Sequence, residues 1–80
     1  MSKEIRELLK RFDPEEWEKV SERREPATGK AYRGGESVQE ILRHKNLGII
    51  IIRHKIIREG KVQHYHFKPA SPEVVEQYGK

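Results

Sequence analysis

The sequence predicts an α+β fold in which three short helices precede an antiparallel β-hairpin and a further short helix ends the chain. Three observations favour this fold. Apolar residues recur at helical spacing near the start, β-branched residues crowd into positions 49–57, and a glycine-containing turn separates that run from a second one. Eighty residues suffice for one small domain, so residues 1–80 are expected to form a single domain.

The first expected helix covers residues 3–12. Four apolar side chains there share one helical face: Ile5, Leu8, Leu9 and Phe12. Ser2 is placed to cap this helix. Asp13 and Pro14 end it and favour a second helix over residues 14–24, with Asp13 as its N-cap and Pro14 at its first position. Trp17 and Val20 would be the apolar stripe of that second helix.

A proline and three glycines interrupt the pattern over residues 25–36. Residues 30–33 are expected to be either a short third strand or a plain loop. Ser37 and Glu40 then match a Ser-x-x-Glu capping box, which predicts a third helix ending near residue 45 or 46. Three short helices followed by a hairpin are also consistent with a winged-helix-like arrangement.

Residues 47–69 are expected to form the hairpin, with a tight turn at Glu59-Gly60. A regular register from that turn pairs Lys55 with His64 and Arg53 with His66. Side chains alternate across a strand, so the cationic and imidazole groups would share one face. After the hairpin, Ser71 is placed to cap a last helix over residues 72–78.

The charge is unevenly distributed. The net charge is +4, but residues 41–70 hold seven Lys and Arg, one acid and all four histidines. Such asymmetry indicates an anionic partner. The chain has no cysteine, which excludes disulfides and a thiolate zinc site, and no cofactor is expected. Its longest apolar run, residues 49–52, is too short to cross a bilayer, so a cytoplasmic protein without membrane contact is expected.

The leading interpretation is a small nucleic-acid-binding protein that acts as a regulator or accessory factor and not as an enzyme. The basic hairpin face would contact phosphates through Arg53, Lys55, His64, His66 and Lys68, and the surface would extend to Lys30, Arg33, Arg43 and Lys45. DNA is favoured over RNA because a two-stranded ribbon fits the major groove of a duplex. No catalytic residue and no metal ligand is assigned.

The glycine-rich segment adds a weaker signal for the same partner. Backbone amides near Gly29, Gly34 and Gly35 can hold a phosphate, and Tyr32 can stack on a base. The spacing of a Walker loop is absent. The alternative is a connector without a binding role.

The pattern His64-Tyr65-His66 leaves a nuclease open as a further alternative. Two imidazoles on one strand face can bind a divalent metal, although no acidic third ligand is nearby. The pattern resembles the His-hydrophobe-His strand of single-stranded-DNA nicking enzymes, and that resemblance implies Tyr78 as the nucleophile. A metal-independent ribonuclease would instead use His64 or His66 as acid and base, with Arg53 or Lys55 steadying the phosphate.

Apolar residues on the same expected face favour another alternative, a protein interface. Ile49, Ile51, Ile57 and Val62 would leave apolar surface beside the charges. This surface would support a homodimer built through the hairpin. It would equally suit an interaction module, for instance a phage or mobile-element factor that binds a host protein.

Overall fold

The structure is a computed structural model that describes residues 2–30 and 33–79. Its elements are α1 (Lys3–Lys10), a 3-10 turn (Pro14–Glu16), β1 (Trp17–Pro26), β2 (Glu36–His44), β3 (Ile50–Arg58), β4 (Lys61–Pro69) and α2 (Pro72–Tyr78). The strands form one antiparallel sheet in the order β1-β2-β3-β4. The expected fold, with three helices before a lone hairpin or a winged-helix-like arrangement, is therefore wrong.

The second expected helix is a single 3-10 turn followed by β1. Asp13 caps the turn, since its Oδ1 accepts from the Glu15 N–H at 3.0 Å, and the chain becomes extended at Trp17. Beyond Trp17, the positions of β1 that share its side of the sheet hold charged residues, and a bulge lies between Lys19 and Ser21. Because polar residues occupy inward positions and a bulge interrupts the strand, the sequence lacks the alternation of apolar and polar residues that indicates a strand.

The third expected helix is β2. Its buried positions alternate strictly with less buried ones and are Val38, Glu40, Leu42 and His44. Two of these four residues are polar, so the hydrophobic period of two is not visible in the sequence. The two residues of the predicted capping box instead make hydrogen bonds between strands. Ser37 hydrogen-bonds His54 on β3, and Glu40 accepts from Arg53 on β3.

The hairpin of β3 and β4 is present, as the last two strands of the four-stranded sheet. Its turn has positive φ at both Glu59 (55°) and Gly60 (76°), which is the backbone of a type I′ turn. The expected short strand at residues 30–33 is not observed at Lys30 or Arg33, and Ala31 and Tyr32 lie outside the described residues.

Two helices cover opposite faces of the same half of the sheet. On the face that we call the α1 face, Trp17, Leu42 and Ile51 form a buried cluster, against which α1 packs Ile5, Leu8 and Leu9, and Phe12 packs from the segment just after α1. On the opposite face, α2 contacts β3, and the Tyr78 carbonyl accepts from Arg43 Nη1 at 2.9 Å. Because Arg43 follows Leu42 in β2, its side chain lies on the other side of the sheet. The half of the sheet near the β3–β4 turn carries neither helix.

Candidate functional site

A bulge in β4 decides which side chains share a face. The pairs Arg58–Lys61 and Ile57–Val62 follow the regular register, but the next pair is Ile56–His64, so Gln63 is an extra residue. Beyond the bulge, every partner in β4 is shifted by one residue from the expected register, giving the pairs Lys55–Tyr65 and His54–His66. A shift of one residue turns every later side chain of β4 to the opposite face.

The predicted basic face is therefore divided between the two sides of the sheet. Arg53 and Lys55 lie on the α1 face, where their partners in β4 are Phe67 and Tyr65. The remaining three predicted residues, His64, His66 and Lys68, lie on the opposite face together with His54. We call this second surface the histidine face.

On the α1 face, the carboxylate of Glu40 holds the predicted cations. Glu40 is 3% exposed and its Oε1 accepts from Arg53 Nε at 2.8 Å, while Lys55 Nζ lies at 3.4 Å. Burial would by itself raise the pKa of the Glu40 carboxyl. The hydrogen bond from Arg53 and the charges of Arg53 and Lys55 outweigh that effect and leave the pKa lowered. Arg53 also lies over the ring of Phe12, 5.4 Å from its centroid.

The Glu40 cluster continues across the sheet as a row of ion pairs. Lys19 Nζ lies 3.7 Å from Glu40 and 2.7 Å from Glu22, and Arg24 Nε lies 2.8 Å from Glu22. Hydrogen bonds from Arg24 and Lys19 lower the pKa of Glu22 to about 2. Arg53 and Lys55 belong to this network of four cations and two carboxylates, with only about a quarter of either side chain exposed. Their charged groups contact Glu40, on the opposite side of the sheet from His64, His66 and Lys68.

The histidine face brings three imidazoles together on two adjacent strands. The ring centroids of His54 and His66 are 5.2 Å apart in an edge-to-face arrangement, and those of His64 and His66 are 5.5 Å apart. His64 and His66 are exposed, whereas His54 is half-buried. Burial is the main cause that lowers the pKa of His54, followed by the charges of His66, Lys68 and His64. His54 is therefore neutral at pH 7.

Ser37 of β2 fixes one ring of this cluster. Its Oγ lies 2.6 Å from His54 Nε2, with Ser37 and His54 both half-buried. A neutral imidazole has one donor and one acceptor nitrogen. Because this hydrogen bond engages Nε2, it fixes the rotation of the ring and the direction in which the other nitrogen points. The histidine face thus contains one oriented, neutral imidazole beside two exposed ones.

The segment after β1 borders the cluster. A groove of about 280 Å³ lies between residues 25–29 on one side and Ser37, His54 and Ile56 on the other. The Ala27 N–H donates to the Gly35 carbonyl at 3.0 Å, which closes the base of this segment. Lys30 and Arg33, both predicted to bind nucleic acid, are exposed in the same segment, whereas Tyr32 lies outside the described residues.

The two other predicted cations lie at the covered half of the sheet. Arg43 hydrogen-bonds Glu18 and the Tyr78 carbonyl, which ties β2 to β1 and α2. Lys45 is exposed in the turn that follows β2, and its backbone N–H donates to the Glu16 carbonyl at 2.9 Å. Neither residue joins the histidine cluster.

The residues that the sequence prediction missed are His54 and Ser37. His54 is not among the predicted site residues, because the regular register places it on the opposite face from His64 and His66. Ser37 was expected to cap a helix. Two pairings define the cluster: His54 pairs with Gln39 of β2 and with His66 of β4. Both pairings join residues that are distant in sequence.

Within residues 2–30 and 33–79, no group of three or more His, Asp or Glu side chains is arranged to hold a metal ion. No helix in the same residues is long and apolar enough to span a membrane. Comparisons of the chain with protein-family models, with curated proteins and with solved structures found no match. Function must therefore be inferred from the residues of the chain itself.

Proposed function

We propose that this protein binds single-stranded nucleic acid through the histidine face. The observation that carries the proposal is the cluster of His54, His64 and His66, with Lys68 beside it, on the face opposite α1, where His64 and His66 are exposed. Imidazole rings stack on unpaired bases, and a lysine neutralises phosphate. Exposed Lys30 and Arg33, in the segment that borders the cluster, would extend the positive surface.

The sheet favours a single strand over the major groove of a duplex. The hairpin is not a free two-stranded ribbon, because β3 also pairs with β2 along its length. Four strands spaced about 4.8 Å apart make a surface wider than the roughly 12 Å groove of B-form DNA. The face of a sheet with exposed rings instead suits bases that are not paired with a second strand. The sheet therefore provides no reason to prefer DNA to RNA.

Fluorescence anisotropy with labelled oligonucleotides of about twelve nucleotides tests this function, since single-strand sites span roughly 4–16 nucleotides. Single-stranded DNA and RNA should bind more tightly than the matching duplexes, and affinity should fall as salt rises. Dissociation constants weaker than about 10⁻⁴ M for all ligands at low salt would refute binding.

A charge-matched pair of variants locates the surface. Lys68→Glu should weaken binding by about tenfold or more, because it places a negative charge beside the histidines. Lys3→Glu makes the same change in net charge on α1, on the far side of the sheet, and should leave affinity within about twofold. Equal effects of the two variants would indicate a delocalised charge effect and refute a site on the histidine face.

Self-association through the outer edge of β4 is a second candidate function. The outer edge of β1 is guarded by a bulge, by charged side chains and by Pro26. The outer edge of β4 also has a bulge, at Gln63, and ends at Pro69, but residues 62–67 contain no Lys, Arg, Asp or Glu, and Val62 and Tyr65 are more than half exposed. An edge strand of this kind is a template for pairing with another strand.

The pairing pattern indicates which backbone groups this edge presents. The His44 N–H donates to the Ile49 carbonyl at 2.8 Å, and hydrogen-bonded pairs alternate along antiparallel strands. Arg53 and Lys55 therefore direct their backbone groups toward β2, and their β4 partners Phe67 and Tyr65 direct theirs outward. Antiparallel pairing of β4 with β4 of a second copy would satisfy these groups around a two-fold axis.

Sedimentation velocity across a range of protein concentrations tests self-association. The chain should dimerise, and Tyr65→Lys should shift the equilibrium to the monomer by placing a charge beside the edge. Val75→Lys, at another exposed apolar residue on α2, is the matched control and should not change it. A monomer at every concentration would refute this second candidate.

A further inference from the structure

The histidine cluster has the composition of an acid–base site. His54 and His66 are direct partners across β3 and β4, with ring centroids 5.2 Å apart, and both lie on the histidine face. Lys68 follows His66 on the same face, two positions along β4. Two imidazoles and an ammonium group supply a proton acceptor, a proton donor and a stabiliser of negative charge.

The two imidazoles differ in ways that suit different roles. His54 is half-buried and oriented by Ser37, whereas His66 is exposed. The lowered pKa of His54 keeps its ring unprotonated and ready to accept a proton. The exposed ring of His66 is open to water, from which a proton donor must be resupplied after each reaction.

We propose that the histidine cluster cleaves single-stranded RNA by internal transphosphorylation, with His54 as the base, His66 as the acid and Lys68 beside the phosphate. This inference rests on the proposed function, because the RNA must lie across the histidine face. Ser37 is a positioning residue for His54. Arg53 and Lys55 take no part, since they lie on the α1 face in the Glu40 cluster.

The chemistry is balanced without an oxidant, a reductant or a co-reactant. His54 removes the proton of a ribose 2′-hydroxyl, and the 2′-oxygen forms a bond to the adjacent phosphorus. The bond between phosphorus and the 5′-oxygen breaks, and His66 gives its proton to that leaving oxygen. The Lys68 ammonium stabilises the negative charge that builds on the phosphate oxygens. The products are a 2′,3′-cyclic phosphate and a 5′-hydroxyl. His54 then gives its proton to water and His66 takes one up from water, which returns both imidazoles to their starting forms.

The test uses the full chain and an end-labelled oligoribonucleotide in the presence of EDTA, with products identified by mass spectrometry. We expect fragments ending in a 2′,3′-cyclic phosphate from RNA. DNA and 2′-O-methyl RNA of the same sequence should stay intact, because neither has a free 2′-hydroxyl. Single-turnover rates at saturating protein separate the chemical step from binding.

Substitutions assign the roles. His54→Ala and His66→Ala should each lower the single-turnover rate by about 100-fold or more, as removal of a general acid or base does. Gln63→Ala, on the same strand, is the matched control and should retain the rate. Ser37→Ala should shift the acidic limb of the pH–rate profile, a readout that loss of stability alone would not move. Thermal melting checks that each variant is folded. If His54→Ala unfolds, His66→Ala provides the test, because His66 is exposed.

The outcomes separate the two proposals. RNA that is bound but remains intact would overturn the cleavage inference and leave the binding function standing. RNA that is not bound would overturn both. Cleavage that requires a metal ion, that also cuts DNA, or that persists in His66→Ala would overturn the assigned mechanism.

Discussion

Glu40 and Arg53 lie side by side on β2 and β3, and the Arg53 Nε donates to a carboxylate that is 3% exposed. Removal of one partner of a buried ion pair leaves the other charge without compensation. Glu40→Gln should therefore lower the free energy of unfolding by about 3 kcal/mol, near the lower limit for buried pairs, because Arg53 and Lys55 retain some contact with solvent.

Urea denaturation of Glu40→Gln measures this loss. The matched control is Glu7→Gln on α1, where the carboxylate is exposed and lies 3.6 Å from Lys10. A surface pair of that kind contributes about 0.5 kcal/mol or less. If the two variants were equally stable, the Glu40 cluster would not contribute to stability.

His44 provides a second prediction. It is 3% exposed, its ring meets Trp17 edge-on at 4.9 Å, and its Nδ1 accepts from the N–H groups of Asn46 and Leu47. His44→Ala should destabilise the protein by about 2–4 kcal/mol, through a cavity beside Trp17 and two donors without partners. His44→Asn keeps a short acceptor and should recover part of the loss. Thermal unfolding followed by Trp17 fluorescence measures both variants, and a change below about 0.5 kcal/mol in His44→Ala would contradict the prediction.

The pH dependence of stability follows from His54. In the unfolded chain, His54 takes up a proton as the pH falls through about 6.5, whereas its lowered pKa delays protonation in the folded protein. The unfolded state therefore binds more protons, and the free energy of unfolding should decrease as the pH falls below about 6.5. Urea denaturation at several pH values should show this slope, and His54→Gln should flatten it. The exposed imidazole of His64 serves as control, because His64→Gln should retain most of the slope.

Engineered disulfides test the register of β4. The protein has no cysteine, so a pair introduced at Lys55 and Tyr65 can be followed without interference. These residues are direct partners, and a non-hydrogen-bonded antiparallel pair brings Cα atoms to about 4.5 Å, within the range of a disulfide. Lys55→Cys with Tyr65→Cys should oxidise readily. The control is Lys55→Cys with His64→Cys, the pair expected from a regular register, which should not oxidise readily. Rapid oxidation of that control would rule out the bulge.

The sequence was sufficient for elements defined by local signals. Ser2 and Ser71 cap α1 and α2 as expected, and the Glu59-Gly60 turn joins the last two strands. These features depend on residues only a few positions apart. Helix and turn signals can therefore be read without knowledge of the partner strands.

Strands β1 and β2 could not be predicted, because polar residues occupy their inward positions. Glu40 and His44 are buried through contacts with Arg53 and Trp17, which are distant in sequence. A helix capping pattern at Ser37 was the stronger local signal, and tertiary pairing overrode it. The face on which His64 and His66 lie could not be predicted for a different reason. The one-residue bulge at Gln63 reverses their faces and leaves no signal in the composition.

The strictly sequential order of the strands has a kinetic consequence. The connections between consecutive strands contain nine, five and two residues, so each pairing closes a short loop. The entropy lost on closing a loop grows only slowly with its length and is small for all three connections. Folding can therefore begin at the β3–β4 turn and add one neighbouring strand at a time, without waiting for an encounter between distant parts of the chain.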